Sequence, residues 1–472
     1  MRLPALLIAC IALAGSPAVA APEVTGRHTI AAAPTVALLR ESQLDASALY
    51  FVSYDGLVNN ESFQQDAIVT HAGYQYATWY TADRSAVVAR RKLPTGAWEK
   101  VVLPHKLAVD DSHNVISLGI SPADGRLHVA MDTHNNQIYY AKSEAGLVSS
   151  PSSRSWSASR FGAVQRTLDG QDLGSITYPQ FVVTPERKLQ LSYRTGGSGN
   201  GTNELAEYDG TWRKLGKWSS ATGSWTAPNG VTSTTRNMYL HGLNYGRNGR
   251  LYAAFTWREG NAGVLCNSGG LTNHDTGYVY SDDRGRTWRD NAGNVVGTTG
   301  GSPVAVSQNL VVDPLDPNHG LMNQESQAVD SAGNPHVIIS YVPGRFTQCV
   351  TSYAADRTRW GRAFHVTRAA DGTWTKREIP IAPNSTGRTR IVFDRNDNGY
   401  IVMPFGRIMS ASKASGWTDW TMVFDRPSMN VFGEVNVDYS RVASEGVLSV
   451  FYQQRSSGTT PSPIRVADFR LG

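Results

Sequence analysis

The sequence feature that most constrains the fold is a short phrase that recurs along the chain. Each copy has an apolar run, a turn rich in Asp, Asn or Gly, and a stretch of alternating apolar residues. This pattern predicts an antiparallel hairpin. The copies begin at Asp66, Val115, Tyr178, Leu240, Ser326, Arg390 and Val435. Seven hairpins at roughly 45–85-residue spacing predict an all-β, seven-bladed β-propeller with one four-stranded sheet per blade.

The length of 472 residues allows two ordinary domains or one large all-β domain. The hairpins run nearly end to end, without a long helical period or a low-complexity linker. We therefore expect one domain over residues 21–472. A two-sheet sandwich with an accessory module is the alternative architecture. The 12 Trp and 45 Gly suit short strands and turns, with aromatic surfaces that can stack on sugars.

Residues 1–20 form a predicted signal peptide. Arg2 precedes an apolar run over residues 3–14, and a small-x-small cleavage site ends at Ala20. The apolar run is too short to span a bilayer. We expect a protein that is secreted or periplasmic, with no membrane partner.

The charge pattern excludes one class of partner and favours another. The net charge is +5, and the Lys and Arg residues are scattered without a basic run. Nucleic acid is therefore not expected. A mildly positive cleft suits an acidic polysaccharide. The oligomeric state is open from sequence, and we expect a monomer.

Two hairpins place polar residues at the same rim. His113 and His134 bracket the hairpin that begins at Val115, so they should be near neighbours. Tyr178 and Arg194 bracket the next hairpin in the same way. Adjacent blades would place both pairs around one pocket at the axial end of the propeller. A lone His or Arg at a strand end is otherwise a solvated or capping residue.

A glycine-rich loop, residues 196–201, follows Arg194 directly. Its glycines allow positive φ and a close approach of the backbone. The planar fork of an arginine beside such a loop suits a carboxylate or a sulfate. The alternative is an arginine that caps carbonyls beside a tight turn.

These residue types suit one reaction better than others. The chain shows no Ser or Cys nucleophile motif and no pair of carboxylates of the kind glycoside hydrolysis requires. In β-elimination from a uronic acid, Arg would neutralise the carboxylate, a neutral His would take the C5 proton, and Tyr would protonate O4. No catalytic metal or other cofactor is needed.

The motifs around these residues, with an Asp box at residues 281–288, resemble the BNR-repeat propeller family that contains the ulvan lyases, over about residues 45–425. The resemblance implies a seven-bladed propeller that cleaves a sulfated rhamnose–uronate polymer by β-elimination. By motif, His113 resembles the base, His134 a second active-site histidine, Tyr178 the acid, and Arg194 the neutralising arginine. The expected substrate-binding residues are Arg194, Asn114, Tyr239, Arg236 and Asn200.

Three other functions stay open. Related propellers cleave rhamnosyl–glucuronate links in plant gums and arabinogalactans. Sialidase-type hydrolases also use Asp boxes, but they need three arginines and a Tyr–Glu pair, and this chain shows one clear Asp box and no early arginine motif. A non-catalytic carbohydrate-binding propeller would leave the clustered His, Tyr and Arg residues unexplained.

Two cysteines outside the signal peptide offer either a metal site or a disulfide. Cys266, His274, Cys349 and His365 could form a closed structural Zn²⁺ site. Some ulvan lyases hold a structural zinc with Cys and His, so the resemblance implies this site. A Cys266–Cys349 disulfide is the alternative for an exported protein.

Overall fold

The computed structural model of the chain describes residues 33–51, 53, 57–63 and 66–472. The predicted signal peptide lies outside the described residues. Residues 33–472 form one compact unit. The first nine strands are β1 (Val36–Ala48), β2 (Ile68–His71), β3 (Tyr74–Tyr80), β4 (Ser85–Lys92), β5 (Glu99–Lys106), β6 (Ile116–Ser121), β7 (Arg126–Met131), β8 (His134–Asn136) and β9 (Tyr139–Lys142).

The middle of the chain continues as strands. They are β10 (Ile176–Val183), β11 (Leu189–Gly197), β12 (Asn200–Tyr208), β13 (Trp212–Lys217), β14 (Thr222–Thr226), β15 (Thr232–Tyr245), β16 (Leu251–Glu259), β17 (Asn273–Ser281), β18 (Thr287–Arg289), β19 (Val295–Thr298) and β20 (Val311–Asp313).

The last part of the chain adds two short helices. Its elements are β21 (Ser326–Val329), β22 (Pro335–Tyr341), α1 (Tyr353–Trp360), β23 (Arg362–Arg368), β24 (Trp374–Glu378), β25 (Arg390–Phe393), β26 (Gly399–Val402), β27 (Ile408–Ala411), β28 (Thr421–Phe424), β29 (Asn436–Val437), α2 (Tyr439–Glu445), β30 (Val447–Gln453) and β31 (Ser462–Leu471). Within the described ranges, neither helix has the length and apolar character needed to cross a bilayer.

The strands form antiparallel sheets that follow one another along the chain. The sheets are β2–β5, then β6, β7 and β9, then β8 with β10–β13, then β14–β20, β21–β24 and β25–β28. A last sheet, in the order β1-β31-β30-β29, joins the first described strand to the final three. The all-β propeller predicted from the hairpin repeat is confirmed. The number of blades stays a prediction.

Six of the seven predicted hairpins form as expected, and the last one differs. In each of the six, the two strands on either side of the turn pair directly. In the phrase that begins at Val435, helix α2 stands between β29 and β30 in place of a tight turn. Asp438 caps this helix by accepting a hydrogen bond from the Arg441 amide, and Gly446 ends it with φ of 68°.

The hydrophobic core lies between neighbouring sheets. Tyr76 and Val88 of the β2–β5 sheet pack in one cluster with Leu118 and Val129 of the next sheet. Across the closing sheet, Trp79 packs in one cluster with Phe451 and residues of β31. The inner strands, such as β3, β6 and β22, are buried along their whole length, which explains the apolar runs in the sequence, whereas outer strands such as β5, β13 and β24 are largely exposed and polar.

The Asp box behaves as its sequence predicts. The Asp283 carboxylate accepts hydrogen bonds from the amides of Arg286 and Thr287, at 3.1 and 2.7 Å, and from the Ser281 hydroxyl at 2.7 Å. The Trp288 ring is buried and stacks on Trp218, with ring centroids 4.2 Å apart. This turn stabilises the outer part of a sheet and takes no part in the cavity described below.

A buried ionic cluster joins the closing sheet to its neighbour. Asp468 of β31 accepts hydrogen bonds from Arg91 of β4, at 2.7 and 2.9 Å, and pairs with Arg441 of α2 at 2.8 Å. The side chains of all three residues are at most 3% exposed. Arg441 also pairs with Glu445 at 3.0 Å, whereas Asp468 is the carboxylate that pairs with Arg91 at the place where the ring closes.

We expect Asp468→Ala to lower the free energy of unfolding by about 3–5 kcal/mol, because it leaves the buried Arg91 guanidinium without its carboxylate and removes one of the two carboxylates that pair with Arg441. Denaturant unfolding measures this change. The matched control is Asp282→Ala, which removes the exposed partner of Arg250 and should cost at most about 1 kcal/mol. Equal effects of the two substitutions would contradict the role given to the cluster.

Candidate active site

A cavity of about 540 Å³ opens where the inner strands of several sheets end. Its walls carry three arginines, two histidines and three tyrosines, and no carboxylate is among its described lining residues. The lining residues are His113, His134, Asn135, Tyr178, Arg194, Ser198, Tyr239, Arg258, Leu271, Met322, Asn323, Tyr353, Ala354, Thr386 and Arg388. The size is that of a ligand-binding cavity, and the charge suits an anion.

One carboxylate orients both histidines. Asp111 accepts a hydrogen bond from the Nδ1 atom of His113 and another from the Nδ1 atom of His134, each at 2.6 Å. The two rings stack with centroids 4.5 Å apart. Burial alone would raise the pKa of Asp111, but the two histidines hold it well below its ordinary value. The structure thus brings together the two histidines that the sequence placed at one rim.

The surroundings of His113 favour its neutral form. Burial lowers its pKa, and the hydrogen bond from its ring to Asp111 offsets this only in part. Because the Nδ1–H points to Asp111, the nitrogen without a proton in the neutral ring is Nε2. Phe63 packs against the same ring, with centroids 5.2 Å apart, and restricts its orientation.

Tyr178 reaches the cavity through an irregularity in β10. Its φ is 57°, a left-handed value that is unusual for a residue with a Cβ. The register between β10 and β11 shifts between Thr177 and Gln180, as at a β-bulge. The phenol ring lies 5.9 Å from the His113 ring between centroids. Burial raises the pKa of Tyr178 above its ordinary value, so its hydroxyl keeps its proton.

Arg194 is buried at the base of the cavity and held by neutral groups. Its Nη2 atom donates to the side-chain oxygens of Asn135 and Thr177, both at 3.1 Å, and Nη1 donates to the Tyr239 hydroxyl at 3.2 Å. Its guanidinium carbon lies 4.9 Å from the centre of the Tyr178 ring. No carboxylate pairs with it within the described residues. A buried arginine without a counter-ion is suited to an anionic ligand.

Tyr239 lies between two guanidinium groups. Arg194 donates to its hydroxyl, and the guanidinium carbon of Arg258 lies 4.8 Å from its ring centre. Burial acts to raise the pKa of Tyr239, but the charges of Arg258 and Arg194 outweigh it and lower the pKa to about 8. The pKa values of Tyr178 and Tyr239, two tyrosines of one cavity, are therefore shifted in opposite directions.

Three residues expected to bind substrate lie outside the cavity lining. Asn114 is buried, and its side-chain nitrogen donates to Asp132 at 2.5 Å. Arg236 is fully buried and forms a bidentate pair with Glu259, at 2.9 and 3.0 Å. Asn200 is exposed where β12 begins. The polar groups of Asn114 and Arg236 thus bond to residues inside the protein and not on the cavity wall, and substrate binding by all three residues stays a prediction.

The four predicted zinc ligands are not brought together. Cys266 and Cys349 form a disulfide, so neither sulfur is a thiolate. His274 bonds to Glu259 at 3.0 Å and stacks on Trp225. The His365 ring forms a hydrogen bond with the buried His336 ring at 2.8 Å. These residues do not fit a Cys₂His₂ metal site, and the disulfide alternative replaces it.

Three residues that shape the site were not singled out from sequence. Asp111 stands two residues before His113 in the Asp-x-His phrase, a spacing that could have indicated it. Arg258 belongs to a Trp-Arg-Glu phrase at the end of β16. Phe63 packs between His113 and Tyr178, and no local motif marks it.

A protein-family model matches the central part of the chain. The model of the BNR repeat-containing family, BNR_4, matches residues 74–382, which is more than half of the chain. The matched segment contains the histidines, Tyr178, Arg194 and Tyr239. These cavity residues therefore lie in the part of the chain that the family model covers.

Among curated proteins, the long isoform of ulvan lyase from Alteromonas sp. (strain LOR) is 25% identical over 468 residues, covering 87% of this chain and 43% of that protein. The short isoform from the same strain is 25% identical over 244 residues, covering 43% of this chain and 46% of that protein. The chain thus spans less than half the length of these curated relatives.

Two solved structures share the fold. Polysaccharide lyase Uly1 superposes with a TM-score of 0.68 at 18% identity, over 92% of this chain and 99% of that one. The PL25 ulvan lyase bound to -[GlcA(1-4)Rha3S]- gives a TM-score of 0.59 at 12% identity, over 90% and 95% of the two chains. At these identities the likeness shows the propeller fold.

The Cys266–Cys349 disulfide and the predicted zinc site lead to different expectations for stability. We expect the double substitution Cys266→Ser, Cys349→Ser to lower the free energy of unfolding by about 2–4 kcal/mol, because the bridge closes a long loop. A reductant should lower the melting temperature of the wild type, whereas a chelator should leave it unchanged. A melting temperature that falls with chelator and is insensitive to reductant would contradict the disulfide.

Proposed function

The chain belongs to the BNR repeat-containing family, and on that premise we propose that it is a polysaccharide lyase acting on a uronate-containing polysaccharide by β-elimination. The observation that carries the proposal is the cavity itself. Arg194, His113 and Tyr178 meet in it, and no carboxylate is among its described lining residues. The names of the curated relatives, ulvan lyases, point to the same reaction class.

Arg194 would receive the carboxylate of the uronate. The carboxylate makes the C5 proton removable, because negative charge spreads onto its oxygens as that proton leaves. A guanidinium that is already buried, and that pairs with no carboxylate of the described residues, would stabilise this charge without reorganising. Asn135, Thr177 and Tyr239 hold it in place beforehand.

His113 and Tyr178 would then move the protons. The Nε2 lone pair of His113 takes the proton from C5, and the imidazolium that forms is stabilised by Asp111. The electron pair of the C5–H bond becomes the C4–C5 double bond. The C4–O4 bond breaks, and the Tyr178 hydroxyl gives its proton to O4. The products are an unsaturated uronyl end and a new hydroxyl end, so no water is consumed.

Hydrolysis fits the same cavity poorly. Glycosidases place two carboxylic groups on either side of the scissile bond, and the described lining of this cavity offers none. Glu434, the nearest acid to the wall formed by Arg388, is buried and pairs with that arginine at 2.8 Å. The arrangement of His, Tyr and Arg favours proton transfer beside a neutralised carboxylate.

We propose an ulvan-type, sulfated rhamnose–uronate polymer as the substrate. The support is that the curated relatives are named ulvan lyases. A rhamnosyl–glucuronate link in a plant gum is the alternative. We further propose that each sheet is one blade of a seven-bladed propeller, that residues 1–20 direct export, and that the protein acts as a monomer.

Elimination is tested by following the ultraviolet absorbance of the new double bond with ulvan and, separately, with gum arabic. We expect a rise with the wild type, and loss of about 10²-fold or more in rate for His113→Ala and Tyr178→Phe. Arg194→Ala should abolish turnover.

The matched controls are Tyr245→Phe and Arg250→Ala, which change the same residue types outside the cavity. Both should keep wild-type rates, and all variants should keep the wild-type melting temperature within a few degrees. A fully active Arg194→Ala variant would remove the proposed role of this arginine.

The pH dependence follows from the two shifted groups. His113 must be unprotonated to act, and its pKa is lowered, so we expect activity to persist below pH 6.5, the ordinary histidine value. Tyr239 loses its proton at a pKa of about 8, and its phenolate would then compete with the substrate carboxylate for Arg194. KM should therefore rise above about pH 8. Tyr239→Phe should move this alkaline limit to higher pH, and an unchanged limit would assign it to another group.

A further inference from the structure

Arg258 stands beside Arg194 on the same wall of the cavity. Its guanidinium carbon lies 4.8 Å from the centre of the Tyr239 ring, and Arg194 donates to the hydroxyl of that tyrosine. The Nε atom of Arg258 donates to the Asn273 side chain at 2.8 Å, and Nη1 donates to the Ser198 hydroxyl at 3.2 Å. Both partners are neutral, so they orient the guanidinium without cancelling its charge.

The charge of Arg258 has no carboxylate partner within the described part of the chain. Two neighbouring arginines show the contrast. Arg236 is paired with Glu259, and Arg388, which lines the same cavity, is paired with Glu434. Two positive charges on one wall, those of Arg194 and Arg258, therefore remain for a ligand, although β-elimination at one uronate uses only the first.

The glycine-rich loop explains how Arg258 is held. A Cβ at Gly199 would lie 2.5 Å from the Cα atom of Gly260, so only glycine allows the tip of the β11–β12 hairpin to pack against the end of β16. This approach brings Ser198 to the Arg258 side chain. The glycine-rich loop therefore positions Arg258 through the Ser198 hydroxyl. Its close packing against β16 serves Arg258 and is not explained by Arg194 alone.

We propose that Arg258 binds a second anionic group of the substrate, on a sugar next to the one whose carboxylate faces Arg194. This inference rests on the proposed lyase function and narrows its substrate class. The polymer would carry negative groups on neighbouring sugars, and the second group is a sulfate ester or a carboxylate. The cavity volume of about 540 Å³ accommodates a ligand of more than one sugar ring.

The test compares Arg258→Gln with the wild type on ulvan and on chemically desulfated ulvan, at pH 7, which lies below the pKa of about 8 of Tyr239. We expect kcat/KM on ulvan to fall about 10- to 100-fold, the usual cost of one charged hydrogen-bond partner, mainly through KM. A fall confined to ulvan identifies the second group as sulfate, and an equal fall on both substrates identifies a carboxylate.

Two further variants separate charge from structure. Arg258→Lys keeps the charge and loses the planar fork, so it should recover part of the loss. Arg250→Gln removes a half-buried arginine outside the cavity and should leave kcat/KM on both substrates unchanged. An unchanged kcat/KM for Arg258→Gln would overturn the proposal, as would a fall in kcat with an unchanged KM, because Arg258 would then act through Tyr239.

A direct binding measurement tests the anion site at Arg258 independently of the lyase reaction. Calorimetry measures the affinity of a sulfated uronate oligosaccharide for the wild type and for Arg258→Gln, without turnover being needed. If the wild type binds it and the variant binds it about tenfold or more weakly, the anion site stands even when no elimination is detected and the proposed function fails. Equal affinities would overturn the anion site whatever the activity.

Discussion

The ladder between β1 and β31 is the constraint on which the rest of the structure depends, because it closes a ring of sheets. The cavity is assembled from strand ends and loops of several sheets, and none of those sheets contributes more than part of it. Closure of the ring fixes the distances between these strand ends. The buried cluster around Asp468 lies at this closure, where it ties β31 to β4 and α2.

Much of the fold could be predicted because its information is local. Alternation and turn residues specify a hairpin within about twenty residues, and a sheet-by-sheet repeat then leaves few ways to bury the apolar faces. The exception is the phrase at Val435, where the first strand is only two residues long. There a capped helix replaces the turn, and local apolar spacing alone does not distinguish the two.

The site was predictable where hairpin geometry determines proximity. His113 with His134, and Tyr178 with Arg194, bracket hairpins and do meet. Asn114 and Arg236 stand in equally suggestive phrases but turn inward to Asp132 and Glu259, since the facing direction of a side chain depends on partners distant in sequence. The cysteine pairing likewise depends on a separation of 83 residues that no local pattern encodes.

Among the described residues no carboxylate pairs with Arg194, and this also bears on what would follow bond cleavage. The proposed elimination would leave the carboxylate on the unsaturated sugar, so the guanidinium that binds the substrate would also bind the product. The part of this binding that substrate and product share is separate from the extra stabilisation that Arg194 would give as charge spreads onto the carboxylate in the transition state. The spent chain end would therefore compete with fresh substrate for the same guanidinium, so that product would inhibit the reaction as it accumulates.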